Sequence, residues 1–422
     1  MKRLLLFGPI IYALLFLGLL THNGEPLAFI MPFLVYLGAS LLYSPEKISL
    51  KVTRNLSDDR VSQGASIEVR LEVTNQGSRL EELFLEDFVP MPFEPIDGTA
   101  SLLTSLAPDE TVKWKYRLRA NRGYYRFQGV GASANDYLGL FRRQTLLPAE
   151  SRLTVLPHSV KLKRVTIKPR RTRVYSGFIP ARSGGHGIEF FGVREHQSGD
   201  PYRLINWKAT ARHPQRFFTN EYEQERVADV GLILDARQRS YLRKDEESLF
   251  EHAVSATTAL ADAFLNDGNR VGVYIYGRVV DWTIPGYGKI QKERILQALA
   301  RAKLGEHQVF DRLEHLPARL FPSHSQLIFI SPLIKDDRQT LFRLRARGYQ
   351  VMVVTPDPIS FEESRLKQDR YIKTGRRIAL LERSLMLHEL RQAGVQVFDW
   401  CVETPFHHAA SFALTRQPLW RY

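Results

Sequence analysis

The chain has 422 residues, of which 44% are hydrophobic, 11% aromatic and 25% charged; this is the composition of folded globular material, so wholesale disorder is excluded. A single cysteine excludes a disulfide framework, a zinc ribbon and an iron–sulfur site. The net charge of +14 favours an anionic partner, while a mean hydropathy of −0.24 excludes a polytopic transporter.

Two uncharged runs, Leu4 to Leu20 and Pro26 to Tyr43, follow Lys2 and Arg3 and are separated by Thr21-His22-Asn23-Gly24-Glu25. Each is close to the shortest stretch that crosses a hydrocarbon core of roughly 30 Å. A transmembrane helical hairpin over residues 1–43 is therefore expected. A cleaved signal peptide fits less well, because no small-residue cleavage site precedes the second run. Two buried core helices would leave the absence of charge unexplained. Lys47, Lys51 and Arg54 follow the second run and the turn between the runs has no Lys or Arg. That asymmetry predicts both ends on the cytoplasmic side, and so a multi-pass cell-membrane protein with its soluble domains in the cytoplasm.

Residues 44–157 change to period two. Ser66 to Asn75 and Thr111 to Arg119 alternate apolar and polar residues, with turn residues at Asn75-Gln76-Gly77, Pro108-Asp109 and Asn121-Arg122-Gly123. Such alternation marks half-buried strands, and an antiparallel, immunoglobulin-like β-sandwich is expected. No cluster of His, Cys or carboxylates converges there, which suits a spacer or interaction module.

Residues 158–226 carry 14 Lys and Arg against 6 Asp and Glu. Seven cations without an acid lie at Lys161, Lys163, Arg164, Lys168, Arg170, Arg171 and Arg173. A solvated linker face, a contact with anionic headgroups and a nucleic-acid patch are the three readings. Nucleic acid is the weakest, since no DNA- or RNA-binding signature accompanies the charge. Further on, Ser198-Gly199-Asp200-Pro201 reads as a turn, with Asp200 placed to cap a following helix. Arg203, Lys208 and Arg212 recur at helical intervals beside Ile205, Asn206 and Trp207. Arg194, Glu195, Asp200 and Arg203 are expected to form one compact ion network. It either locks the segment in place or offers a partner-binding surface; opposite charges that neutralise one another make a poor catalytic set. Gly184-Gly185-His186-Gly187 lacks the Lys-Ser/Thr ending of a phosphate loop.

The block from Phe191 to Arg212, with Asn220-Glu221-Tyr222-Glu223-Gln224-Glu225-Arg226, resembles the signature of the DUF58 family. Arg122-Gly123-Tyr124-Tyr125 and Asp136 to Arg143 look like that family's hallmark at the end of its β domain. The resemblance implies an architecture more readily than an activity.

From residue 227 to 422, apolar runs alternate with helical patterns. Strands are expected at Val230–Asp235, Arg270–Trp282 (a pair), Gln326–Ser331, Tyr349–Thr355 and Val395–Trp400. Helices are expected at Glu246–Leu265, Ile290–Ala302, Gln339–Arg347 and Leu380–Ala393. Continuous apolar strands between helices predict a doubly wound α/β domain with both faces of its sheet covered. Asp235-Ala236-Arg237-Gln238-Arg239 replaces the glycine-rich turn of a dinucleotide fold. What this region resembles is a von Willebrand factor A domain, which would hold Mg²⁺ through an Asp-x-Ser-x-Ser loop, a Thr and a further Asp. Asp235 matches the first Asp, but Arg237 and Arg239 stand at the two Ser positions and Pro332 where an acid belongs. Cations cannot ligate Mg²⁺, so no metal or other cofactor is expected and Asp235 should pair with a neighbouring Arg. Cys401 reads as a small core residue rather than a nucleophile, and His407-His408 alone is thin support for a metal site.

The expected function is non-enzymatic: a membrane-anchored cytosolic scaffold binding protein partners through Arg194, Glu195, Gly199, Asp200, Arg203, Asn206, Trp207, Lys208 and Arg212. The family resemblance implies a MoxR-type AAA+ ATPase as that partner. The alternative is a module that binds anionic lipid or nucleic acid through residues 161 to 173.

Overall fold

The computed structural model describes residues 4–22, 24–42, 48–93, 95–135, 142–162, 173–213, 215–241, 248–277, 280–305, 313–317, 320–363, 366 and 370–413. The chain divides into two compact units, Met1–Leu156 and Pro157–Tyr422.

In the first unit the apolar runs form α1 (Leu4–Thr21), α2 (Glu25–Ala28) and α3 (Ile30–Leu42). The expected transmembrane hairpin is corrected: among the described residues no helix is long and apolar enough to cross a membrane. At 1.5 Å per residue α1 reaches about 27 Å and α3 only about 20 Å, because the second run is interrupted at Phe29 between α2 and α3. The multi-pass placement inferred from those spans loses its basis with them.

The β region comprises β1 (Leu50–Leu56), β2 (Arg60–Ser62), β3 (Ser66–Asn75), β4 (Leu80–Asp87), β5 (Pro95–Asp97), β6 (Ser101–Leu106), β7 (Thr111–Arg119), β8 (Gly123–Asn135) and β9 (Arg142–Leu156). One sheet has the order β1-β3-β7-β5 and the other β2-β9-β8-β4-β6. The second sheet is mixed rather than purely antiparallel, since β2 runs parallel to β9. Alternate residues of β3 (Ile67, Val69, Leu71 and Val73) are buried and join Leu118, Phe127, Leu153 and Val155 in one core. That alternation is the period of a pleated strand with one wet face.

Arg54 departs from its expected role. Instead of flanking a membrane span, its side chain is fully buried and ion-paired with the buried Asp87 of β4. Tyr116 of β7 donates to Asp87 Oδ2 at 2.6 Å, Arg54 donates to the Gly129 carbonyl at 3.2 Å, and the guanidinium lies 4.9 Å from the Phe127 ring centre. Burial first, then the Asp87 charge, pushes the Tyr116 phenol far above its ordinary range. Because β1 and β7 belong to one sheet and β4 and β8 to the other, these bonds tie the two sheets together.

The second unit opens with β10 (Arg173–Glu195), which pairs antiparallel with β11 (Phe218–Val227) through four register shifts; α4 (Trp207–Thr210) lies between them. Then follow β12 (Asp229–Ala236), α5 (Leu249–Asn266), β13 (Arg270–Gly277), β14 (Asp281–Trp282), α6 (Gly288–Arg301), β15 (Gln326–Ile330), α7 (Asp337–Ala346), β16 (Gln350–Pro356), α8 (Pro358–Glu363), α9 (Arg370–Gln392), β17 (Gln396–Trp400) and α10 (Phe406–Ala413). Their sheet has the order β14-β13-β12-β15-β16-β17. It too is mixed: five strands are parallel, and β14 joins the edge antiparallel. Both faces are covered. Leu232, Leu234 and Val354 pack towards α5, α6 and α10, whereas Ile233, Phe329 and Val353 pack towards α7 and α9. Every residue of β12 is buried, as a central strand covered on both sides requires. Helix α9 starts at Arg370, ten residues before the Leu380 expected from its pattern.

Candidate functional site

Two constellations carry the polar chemistry of the second unit. The first is the segment between β10 and β11. Gly199 adopts φ +105°, a backbone conformation that side-chain-bearing residues rarely take, and the turn it makes returns Asp200 to Arg194. The Arg194 guanidinium meets Asp200 in two parallel bonds, Nη1 to Oδ2 at 2.8 Å and Nη2 to Oδ1 at 2.7 Å. Glu221 of β11 lies 3.5 Å from Arg194 Nε. Asp200 Oδ2 also accepts from the Gln197 amide at 2.9 Å. Arg194 first, then that amide, hold the Asp200 carboxyl down at about 2.

This geometry corrects two expectations. Asp200 caps no helix: Pro201 precedes the short 3-10 turn at Tyr202–Leu204, and no side chain caps it. The cap is Asn206, whose Oδ1 accepts from the Ala209 amide at 2.9 Å at the start of α4, while its Nδ2 donates to Asn220 Oδ1 at 2.7 Å. The ion network also has different members. Glu195 pairs with Arg216 rather than with Arg194, and Arg203 takes no part. Glu221 and Arg216 were missed because neither lies within the turn; only the strand pairing brings them to it.

Around this brace the surface is apolar and cationic. Tyr202 is 81% exposed and Trp207 65% exposed, and Phe217 is also exposed. The His196 ring lies between Tyr202 and Phe217, with centres 6.1 and 6.5 Å away, and its Nδ1 is 2.8 Å from Thr219 Oγ1. Arg203, Lys208 and Arg212 are exposed, and their side chains have no hydrogen-bond or ion-pair partner among the described residues. Of the basic run, Lys161 is exposed and Arg173 opens β10 opposite Val227. Lys163, Arg164, Lys168, Arg170 and Arg171 lie outside the described residues, as do residues 136–141 of the upstream hallmark.

Asp200 gives a direct check. Its pairing contributes stability that is fully present above the ordinary carboxylate value of 3.8 and is lost as pH falls through about 2. Carboxyl carbon NMR should follow a midpoint near 2 in the wild type, and Arg194→Gln should return it towards 3.8. An unchanged midpoint in the variant would remove Arg194 as the cause.

The second constellation lies at the carboxyl end of the parallel sheet. Asp235 of β12 does pair with an arginine, and that arginine is Arg237. Arg237 Nε donates to Asp235 Oδ1 at 2.9 Å and Nη2 to Oδ2 at 2.7 Å. The same guanidinium donates to both oxygens of Asp337 at 2.9 and 2.8 Å. Ser331 Oγ donates to Asp235 Oδ2 at 2.7 Å, and the Ile334 amide donates to Asp337 Oδ2 at 3.1 Å. All three charged side chains are almost wholly buried. Burial alone would raise the Asp235 carboxyl, but Arg237 and the Ser331 hydroxyl hold it below its usual range. Asp235 thus accepts four hydrogen bonds, two on each oxygen, from the Arg237 amide, the Arg237 guanidinium and Ser331, which fill its acceptor sites, whereas Asp337 accepts three. Asp337 was not expected, because Pro332 stands directly after the strand where an acid belongs, whereas the acid arrives five residues later, at the first turn of α7. Nearby, Arg383 of α9 donates to Asp399 at 2.7 Å, Thr355 Oγ1 at 3.0 Å and the Pro332 carbonyl at 3.1 Å. Among the described residues, no group of three or more His, Cys, Asp or Glu side chains is placed to hold a metal ion. Cys401 is exposed, not a core residue.

The comparisons with known proteins give little beyond this geometry. The "Uncharacterized protein YeaD" of Bacillus subtilis (strain 168) is 24% identical over 253 residues, which span 59% of this chain and 61% of that relative. Among solved structures, a CARDB domain from Pyrococcus furiosus is 19% identical and covers 26% of this chain and 90% of its own, at a TM-score of 0.19. The cupredoxin domain of amoB from Nitrosocaldus yellowstonii is 14% identical and covers 26% of this chain and 88% of its own, at a TM-score of 0.18. Likenesses that slight carry no argument about fold or function. Residues 192–362, which include both constellations except for Arg383 and Asp399, match the family described as "Protein of unknown function DUF58".

Proposed function

We propose that the protein is a non-enzymatic adaptor whose segment from His196 to Phe217 binds a protein partner. A MoxR-type AAA+ ATPase is the partner that the resemblance to DUF58 proteins implies. The observation that carries the reading is one braced loop bearing Tyr202, Trp207 and Phe217 in solvent beside the unpartnered cations Arg203, Lys208 and Arg212. Exposed aromatics and arginines on a preorganised scaffold are what interface hot spots are made of. Arg194, Asp200, Asn206 and Gly199 position that surface without forming it.

The test is affinity capture of the full-length protein, with and without ATP, followed by identification of the retained chains. A nucleotide-dependent ATPase should be retained by the wild type and lost by a Tyr202→Ser/Trp207→Ser variant of unchanged melting temperature. Retention by the variant would sink the loop as the contact. The same three cations support the second reading, an anionic polymer or lipid as ligand. Capture of such a ligand alone, with affinity falling steeply as salt rises, would replace the adaptor reading.

A further inference from the structure

Helix α9 has two apolar faces, and only one of them is used. Leu387 and Leu390 pack into the core below the sheet, with the buried Arg383 beside them. From Tyr371 to Glu382 no side chain is buried. The first half of this helix of about 34 Å is therefore only partly covered: Ile372, Ala379 and Leu380 are half-buried, and Arg376 pairs with Glu363 of α8 at 2.7 Å. On the side away from Arg383, Leu387 and Leu390 runs a second stripe: Tyr371 at 84% exposure, Ile378 at 56%, Leu381 at 70% and Leu385 at 61%.

These residues are not scattered. With Thr374 and His388 they fall at successive intervals of three and four, the spacing of a and d positions over heptads. Ile378 takes an a position and Leu381 a d position, the combination that favours two parallel strands. The flanks are charged with opposite signs. Arg377 is at g and Glu382 at e of the next heptad, so in a parallel pair each Arg377 faces the other helix's Glu382. Antiparallel packing would instead bring Glu382 towards another Glu, at 382 or 389. The exposed Lys335 that pairs with Glu382 at 3.2 Å is the kind of surface contact that contributes little and yields to a better partner.

We infer that α9 is a self-association helix: two copies of this chain pair in parallel along Tyr371, Ile378, Leu381 and Leu385, with Arg377 of each copy bonded to Glu382 of the other. The seam covers eight large side chains, on the order of 1,000 Å² in total. That is the low end for a specific interface, so association in the micromolar range is expected. The inference is independent of the partner assigned to the His196–Phe217 loop.

The experiment is sedimentation equilibrium of the full chain in mild detergent across micromolar concentrations. The wild type should reach a dimer. Ile378→Lys/Leu381→Lys should be monomeric with an unchanged melting temperature, its dissociation constant raised at least about a hundredfold by removal of four apolar side chains from the seam. Arg377→Glu and Glu382→Arg should each weaken the dimer alone, and mixing the two variants should restore it as a mixed dimer. A wild type that stays monomeric overturns the inference. So does a dimer that survives Ile378→Lys/Leu381→Lys, as association through α1 would, or a failure of the two charge variants to rescue each other. Binding of the monomer to anionic vesicles through these residues would likewise assign the stripe to lipid and overturn it.

Discussion

Arg237→Met should lower the stability of the second unit by about 3–5 kcal/mol, the cost of leaving carboxylates buried without their counter-ion. Asp235 and Asp337 share that one guanidinium through four hydrogen bonds, so the substitution strands two charges at once. The diagnostic is a second change. In the Arg237→Met background, Asp337→Asn should recover stability, because an amide keeps an acceptor for the Ile334 amide while removing one uncompensated charge. In the wild-type background the same Asp337→Asn should be destabilising, since it breaks an intact pair. Urea unfolding of the four proteins measures this reversal of sign. Costs that simply add would mean that the three residues do not act as one unit. Arg237→Lys should not substitute, because an ammonium cannot span both carboxylates in the plane that the fork provides.

Arg54→Met should have an effect of similar size in the first unit, again about 3–5 kcal/mol, by stranding Asp87 between the two sheets. Tyr116→Phe should cost less, about 1.5–3 kcal/mol, since it removes one hydrogen bond to a charged group and leaves the ion pair intact. Arg54→Met combined with Asp87→Leu should cost clearly less than the sum of the single changes, because no buried charge remains unpaired. If Arg54→Met were instead nearly neutral, the guanidinium would have to be in water, and the tie between β1 and β4 would fail. Arg54 is a case where local sequence context pointed the wrong way. Beside Lys47 and Lys51 it completes a basic cluster after an apolar run, yet it lies within β1, where the residues directed inwards are decided by the pairing of β1 with β3.

Both knots share a physical logic. Each joins residues far apart in the chain, 33 positions between Arg54 and Asp87 and 100 between Arg237 and Asp337. Each is also placed where elements of different origin meet. The motif between β10 and β11 differs in that its central bond is local, from Arg194 to Asp200. It was accordingly readable in advance, whereas its braces from Glu221 and Asn220 were not.

Much of this protein follows from its residues in order. The period-two stretches at Ser66–Asn75 and Thr111–Arg119 are strands β3 and β7, since alternation is what a half-buried strand imposes on a chain. The apolar runs at Val230–Asp235 and Gln326–Ser331 mark β12 and β15, since a strand covered on both faces has no wet side for polar residues. The turn at Gly199 and the pairing of Asp235 with a nearby arginine were also legible, because both partners lie within a few residues. Other features were decided only by the tertiary structure. Apolar composition suggested membrane spans, but a span also needs unbroken helix length, and the second run is divided between α2 and α3. The parallel β2 in an otherwise antiparallel sheet, the arrival of Asp337 from α7 and the burial of Arg54 depend on which distant segments meet. Hydrophobic pattern specifies the face an element buries; which charged group a buried charge finds there is set by packing, and no spacing along the chain records it.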